Sequence, residues 1–480
     1  MAAPWANVPS HEQYFVLITG ANSGVGLAIC QRMIDEFLAT RSSSSHLILI
    51  PTTRSAKKSA EAINTIRAYL AKTVPRSKQL AARGISPRDA ANRVHVVSVE
   101  VDLCKLPTIY QAAHRLVHGE VRDPTGAIHH GDNVAIPRLD AIILNAGYGG
   151  WSGLNWPLFA KQTFTEGPAQ AYAFPKFKIA LPSNTLPPQD IGRGGQDKSD
   201  AATTADSQKQ PALAEVFTAN VFGHYILAHQ LLPLLSRPED SGGAAGVSAG
   251  RIIWTSSIDN EESLFSISDF QGFHSKGPYE SSKRITDLIA VTGDLPRVRK
   301  ASADYFTSPA LRPEQQARKP RFYVTHPGIV PTPLFPLNAF LYFWYYLAMY
   351  AARYLGSPWH TCETYVAACS AVWVALTQQE ELDSLEAHRV KWGSACDRCG
   401  RATVKKTEVP GWGWEGKVED AEALKNDPAQ GILRKLKGRK LGAVDLTEEK
   451  LVKFEEDAIA CWEELEKLRR AFEEIMGERA

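Results

Sequence analysis

Residues 13–40 read QYFVLITGANSGVGLAICQRMIDEFLAT, and three patterns follow one another in them. Residues 14–18 are a continuous apolar run of strand length. Residues 19–26, TGANSGVG, form a turn with glycine at 20, 24 and 26. Leu27, Ile29, Cys30, Met33, Ile34 and Phe37 then recur at helical spacing. Gly20 permits a tight turn, Gly24 a close approach of backbone to a pyrophosphate, and Gly26 close packing of helix on strand. The helix N-terminus, with its free amides and positive dipole end, is the seat for the phosphates. Thr19, Gly20, Asn22, Ser23, Gly24, Val25 and Gly26 are therefore the expected dinucleotide contacts; the strand–turn–helix setting separates them from an ordinary loop.

The alternation continues along the chain. Residues 46–50, 94–101, 139–144, 251–255 and 321–325 have strand-like apolar runs, and 60–71, 214–235 and the stretch from Tyr279 onward are helical in pattern. Strands alternating with helices predict an α/β fold, a doubly wound parallel sheet covered on both faces. Residues 119–138 and 182–212, rich in Gly, Pro, Ser, Asp and Gln, are expected to be loop insertions. At the end of the second strand, where a site for NAD would carry an acid on the ribose 2′-hydroxyl, the chain has Thr53 and Arg54. A guanidinium there suits a 2′-phosphate, which favours NADPH.

Composition narrows the classes. The 480 residues are 44% hydrophobic and 22% charged, which excludes a disordered chain, and a net charge of +2 offers no footprint for nucleic acid. Seven scattered cysteines do not read as a disulfide framework. The first residues lack the basic and apolar regions of a cleaved signal, so none is expected.

Tyr279 and Lys283 stand four residues apart just after Pro278, which suits a helix start, so they share one helix face. A lysine ammonium one turn from a phenol is expected to lower its pKa and make it an acid/base for a carbonyl oxygen. Ser256 and Ser257 end the fifth strand; one is expected to bond the substrate carbonyl, and the spacing leaves open which. Asn220, unfavourable in mid-helix, is expected to hold a water beside Lys283.

In order, Thr19-Gly20, Gly24 and Gly26, then Asp102, Asn145-Ala146-Gly147, Asn220, Ser257, Tyr279 with Lys283, and His326-Pro327-Gly328 resemble the short-chain dehydrogenase/reductase family over residues 12–335. The resemblance implies a Rossmann-type sheet, Asp102 beside the adenine, Asn145, Ala146 and Gly147 behind the ribose, and Pro327, Gly328, Ile329 and Thr332 along the nicotinamide. It also implies that Lys283 binds the ribose hydroxyls. Within the family, residues 254–257, 268–271, 274–276 and 278–283 are similar to the 3-ketosteroid reductases of sterol C-4 demethylation, a branch that includes vertebrate 17β-hydroxysteroid dehydrogenase type 7. Residues 151–180 and the tail from Cys461 to Arg469 favour its fungal members. That implies NADPH-dependent reduction of the C-3 ketone of a zymosterone-type sterol to the 3β-alcohol. Implied partners are the C-4 methyl oxidase and C-3 decarboxylase, with lanosterol synthase as a further candidate, at the endoplasmic reticulum membrane or lipid droplet and with the catalytic part facing the cytosol. A 17-ketosteroid or other lipid-ketone reductase, or a scaffold for sterol enzymes, are the alternative readings.

Residues 334–352 carry no charge and many aromatic side chains, and 334–356 is expected to be a lid that lies on a membrane surface. Residues 357–480 are expected to be a helical extension. In it, apolar residues at 451, 454, 458, 461, 465, 468, 472 and 475 predict a docked helix. Cys396 and Cys399 lack a second ligand pair for zinc, so no metal site is expected.

Overall fold

The computed structural model describes residues 3–119, 121, 123, 125, 133–190, 210–238, 248–307, 318–331, 338–418 and 438–477. Eleven strands are present among them: β1 (Gln13–Ile18), β2 (His46–Thr53), β3 (Val94–Val96), β4 (Val99–Glu100), β5 (Ala141–Leu144), β6 (Trp151–Leu154), β7 (Lys178–Ala180), β8 (Arg251–Thr255), β9 (Arg321–His326), β10 (Lys391–Cys396) and β11 (Ala402–Thr407). Nine of them form one sheet in the order β11-β10-β9-β8-β5-β1-β2-β3, with β4 also pairing β2. All pairs are parallel except β10 with β11.

The helices include α1 (Gly24–Thr40), α2 (Ala56–Thr73), α3 (Leu106–Val117), α4 (Gly223–Gln230), α5 (Pro278–Thr292), α6 (Ala339–Tyr354), α7 (Cys369–Leu376) and α8 (Glu448–Gly477). Strand side chains alternate between the two faces. Val16, Ile18, Leu47 and Leu49 pack with α1, α2 and α7 on one face. Phe15, Leu17, Ile48 and Ile50 pack with α3, α4, α5 and α8 on the other. This is the doubly wound parallel sheet that the strand–helix alternation predicts. The direction of winding reverses between β1 and β5, and the crevice beyond their C-terminal ends is where such sheets bind ligands.

Two parts of the chain differ from expectation. The run 94–101 is two strands, because Val97 and Ser98 leave the ladder and the Ser98 hydroxyl bonds the Pro51 carbonyl at 2.8 Å. Residues 357–480 are not simply a helical extension: β10 extends the parallel sheet beside β9, and β11 closes its edge. The sequence KWGSAC lacks the apolar run that marks a strand, yet all six residues are buried. Lys391 is accommodated by an ion pair to Asp287 at 2.7 Å, and Ser394 by a hydrogen bond to the Ala367 carbonyl at 2.6 Å.

The aromatic segment forms α6, which buries only Met349 and Ala352 and leaves Phe340 69% and Phe343 61% exposed. Among the described residues no helix is long and apolar enough to cross a membrane. Residues 334–337, half of the 119–138 loop and 191–209 of the second insertion lie outside the described residues. The tail stripe is buried through Phe454, Ala458, Cys461, Leu465 and Phe472, as the 3-4 spacing predicts.

Candidate active site

The glycine turn is built as a seat for a close ligand. Gly20 has φ +68°, a conformation that favours glycine, and a Cβ there would lie 3.0 Å from Ala146. A Cβ on Gly26 would overlap the Gly20 carbonyl oxygen. Ser23 precedes α1 without a side-chain cap, so the first amides of that helix are left for another acceptor, and Asn22, Ser23 and Gly24 are exposed beside them, with Val25 half-buried. The Thr19 hydroxyl ties the turn to the next strand: it accepts from the Asn145 and Ala146 amides at 2.8 and 3.0 Å, while the Asn145 side chain donates to the Thr19 carbonyl at 3.1 Å. Gly147 follows at the surface.

Farther along the crevice, Thr53 is buried and bonds Ser59 at 2.8 Å, whereas Arg54 is exposed at the end of β2. Asp102 accepts from the Cys104 amide at 3.2 Å in a short turn after β4. On the opposite side, Pro327, Gly328 and Ile329 follow β9. Their turn is held by Ile329 N to the Trp359 carbonyl at 2.7 Å and by Thr361 to the Pro327 carbonyl at 3.1 Å. Thr332 lies outside the described residues. An uncapped helix end and a turn without side chains in the way fit the phosphates of a dinucleotide.

Ser257, Tyr279 and Lys283 come together where β8 ends and α5 begins. The Ser257 hydroxyl lies beside the Tyr279 phenol, whose pKa it lowers, and accepts from the Asp259 amide at 3.1 Å. Ser256 instead is buried, with its hydroxyl 3.4 Å from the Lys283 carbonyl. Of the two serines, Ser257 is the one that faces the phenol. Burial pushes the Tyr279 phenol up to about 12, against the pull of the Ser257 hydroxyl and of Lys178. The expected lowering by Lys283 is therefore not what dominates; the low dielectric around the ring disfavours phenolate more strongly. The Lys283 ammonium lies 5.5 Å from the Tyr279 ring centre and donates to the Thr255 carbonyl at 2.8 Å. Burial pulls its pKa down to about 8, with Asp287 opposing and Lys391 adding to the effect.

Asn220 is placed differently from expectation. It sits in a π-helical turn, Thr218–Phe222, and its side chain grips the Tyr148 main chain. Oδ1 accepts from Tyr148 N at 2.8 Å, and Nδ2 donates to Tyr148 O at 2.9 Å and to Ser282 at 3.1 Å. The amide protons are engaged in fixing the segment after β5 and in the contact with Ser282.

Four groups near the site escape a reading by motif. His224 bonds Thr19 at 2.9 Å, and burial drives its pKa down to about 3, so it is neutral. It lies four residues after Asn220, a spacing that could have pointed to it. Lys391 donates to the Ser257 carbonyl as well as to Asp287, which holds the loop bearing the serine. Trp151 packs on Tyr279 with ring centres 4.7 Å apart, and Lys178 lies over both rings. Nothing in the local sequence around 151, 178 or 391 marks these roles.

Among curated proteins the chain is 50% identical over 481 residues to the 3-keto-steroid reductase ERG27 of Gibberella zeae, covering 99% of this chain and 97% of that one. It is 38% identical to erg27 of Aspergillus fumigatus, covering 97% and 95%, and 26% identical to ERG27 of Saccharomyces cerevisiae, covering 82% and 88%. No family model matches. Among solved structures, a 3-oxoacyl-[acyl-carrier protein] reductase of Brucella melitensis aligns at TM-score 0.37 and 12% identity, covering 75% of this chain and 89% of that one. Salutaridine reductase of Papaver somniferum aligns at 0.35 and 14%, covering 76% and 96%. Scores this low carry no argument.

Proposed function

The chain belongs to the 3-keto-steroid reductase family, and from that premise we propose that it reduces the C-3 ketone of a sterol to the 3β-alcohol with NADPH. The near-full-length match carries the substrate class, and the cluster of Ser257, Tyr279 and Lys283 supplies the chemistry. A reduced nicotinamide bound along Pro327, Gly328 and Ile329 would supply hydride to the ketone carbon. Ser257 orients the carbonyl oxygen beside Tyr279. Tyr279, with its phenol pushed up to about 12, is an acid throughout the neutral range and gives its proton to the oxygen as it becomes an alkoxide. We assign Lys283 to the ribose hydroxyls, and Asn220 and His224 to fixing the backbone that frames them. Detergent-dispersed zymosterone should be turned over with oxidation of NADPH and yield the 3β-alcohol. Bound NADPH without turnover of any 3-ketosteroid would overturn the substrate and favour a scaffold.

We assign the 2′-phosphate of NADPH to Arg54, exposed at the end of β2 with Lys57 exposed nearby. Arg54→Ala is expected to raise the KM for NADPH by about tenfold and leave that for NADH within about twofold, the loss of one charge-assisted phosphate contact. Equal effects on both cofactors would remove Arg54 from that role.

We further assign α6 to a membrane surface. Phe340, Phe343, Trp344 and Leu347 are exposed together on a 16-residue helix, which suits the boundary of headgroups and acyl chains. The sterol would then enter from lipid, at the endoplasmic reticulum or a lipid droplet, in company with the C-4 methyl oxidase and C-3 decarboxylase. Flotation with phosphatidylcholine vesicles tests this. The variant with Phe340, Phe343 and Trp344 all changed to Ser should lose at least about tenfold in partition, the scale of several buried apolar side chains. Unchanged flotation sinks the assignment.

A further inference from the structure

Residues 151–180, between β5 and the π-helical turn, reach the site. β6 and β7 pair antiparallel, with Leu154 opposite Lys178 and Trp151 opposite Ala180. The pairing brings two side chains onto Tyr279. Trp151 packs against it at a tilt of 59°, and the Lys178 ammonium lies 5.7 Å from the centre of the phenol ring and 4.7 Å from that of Trp151. Lys283 lies 5.5 Å from the same phenol ring. Two ammonium groups therefore flank it at nearly equal distance.

Lys178 is nearly buried and is tied to two carboxylates, Asp259 after β8 and Glu280 on α5. Asp259 is two residues from Ser257, and Glu280 is the neighbour of Tyr279. A lysine placed merely to fill space would keep its ammonium in water. This one is drawn into a largely buried three-charge cluster whose members come from three separate elements, each beside a residue of the reaction centre. In such surroundings charges act on a neighbouring phenol far more strongly than across water.

We propose that Lys178 is a positioning residue for the reduction, a second cation that with Asp259 and Glu280 sets the proton affinity of Tyr279. The inference rests on the reductase reading of this site. Lys178 favours the phenolate, and the carboxylates oppose it. The directions agree: Lys178 pulls the Tyr279 pKa down, while Asp259 and Glu280 push it up. Burial raises the Asp259 carboxyl itself, against Lys178, with Glu280 adding and Lys440 also facing it. The remaining groups around the cluster are Ser257 on the phenol, Lys283 with its neighbours Asp287 and Lys391, and Tyr345 of α6, which feels the Lys178 charge.

The two partners of one ion pair then have opposite effects on the same phenol. The test places 3,5-difluorotyrosine, a phenol acidic enough to titrate in a folded protein, at position 279 of the full chain and follows its fluorine resonance with pH. Lys178→Met should raise the midpoint by about one pH unit, Asp259→Asn should lower it by a similar amount, and Lys178→Arg should stay near wild type. In the unlabelled protein, Lys178→Met should lower kcat by about tenfold with KM within about twofold. Midpoints that move in the same direction, or stay put in folded variants, overturn the proposal. If Lys178→Met, which strands two carboxylates, does not fold, Asp259→Asn against Lys178→Arg decides by the same criterion. The fluorine titration needs no sterol turnover, so a failed substrate assignment is distinguishable from a failure of this one.

Discussion

Tyr279→Phe is expected to lower the reduction rate by about 10²–10⁴-fold, the range for loss of a positioned general acid, with NADPH binding retained. The phenol oxygen is what the substitution removes. The ring can keep its packing on Trp151, at 4.7 Å between centres, and the glycine turn after β1 is elsewhere in the crevice. The pH dependence of the wild type adds a sign. The phenol, at about 12, remains the proton-bearing form through any practical pH range and imposes no limb of its own. Lys283, at about 8, carries its charge below that pH and loses it above. Turnover should therefore be level on the acid side and decline as pH rises through about 8. Measured kcat that rises across that interval, or a Phe variant with more than about a tenth of wild-type turnover, would remove Tyr279 from the acid role.

The second large effect is on stability. Trp462 of α8 is fully buried, stacked on Phe322 with ring centres 5.8 Å apart and set among Tyr225 and Tyr305 at 5.9 and 5.6 Å. The same helix places Glu466 on the Tyr225 hydroxyl at 2.6 Å and on Arg469 at 2.6 Å, inside the protein. Trp462→Ala removes a large ring from a close-packed aromatic cluster, with an expected cost of about 3–5 kcal/mol. Denaturant unfolding of the purified protein checks it. Trp462→Phe, which leaves most of the ring volume, should cost clearly less. A loss below about 1 kcal/mol for the Ala variant would mean that α8 is only loosely docked. Because α8 packs along α5, the helix that carries Tyr279 and Lys283, the Ala variant should also lose activity at temperatures where wild type retains it.

Much of this architecture is legible from neighbours in sequence. A strand, a glycine turn and an amphipathic helix within residues 13–40 specify a parallel α/β sheet. Arg251–Thr255 is a strand with the bounds its apolar run predicts, and the tail stripe docks as its spacing requires. The paired Tyr279 and Lys283 follow from four-residue spacing on a helix. What failed was reading by apolar runs where burial is achieved otherwise. β10 is buried through an ion pair and hydrogen bonds, so its polar residues look like loop.

Sequence by itself determined the fold class, the glycine turn before α1 and the shared helix face of Tyr279 and Lys283, because each depends on residues within a turn or two of one another. Tertiary structure alone decided which serine faces the phenol, what Asn220 holds, and which charges surround the centre. Lys391 meets Asp287 across 104 residues, and Lys178 meets Glu280 across 102. Even the sign of the Tyr279 shift is of this kind. Burial is a property of everything packed around a group, and here it outweighs the lysine one turn away.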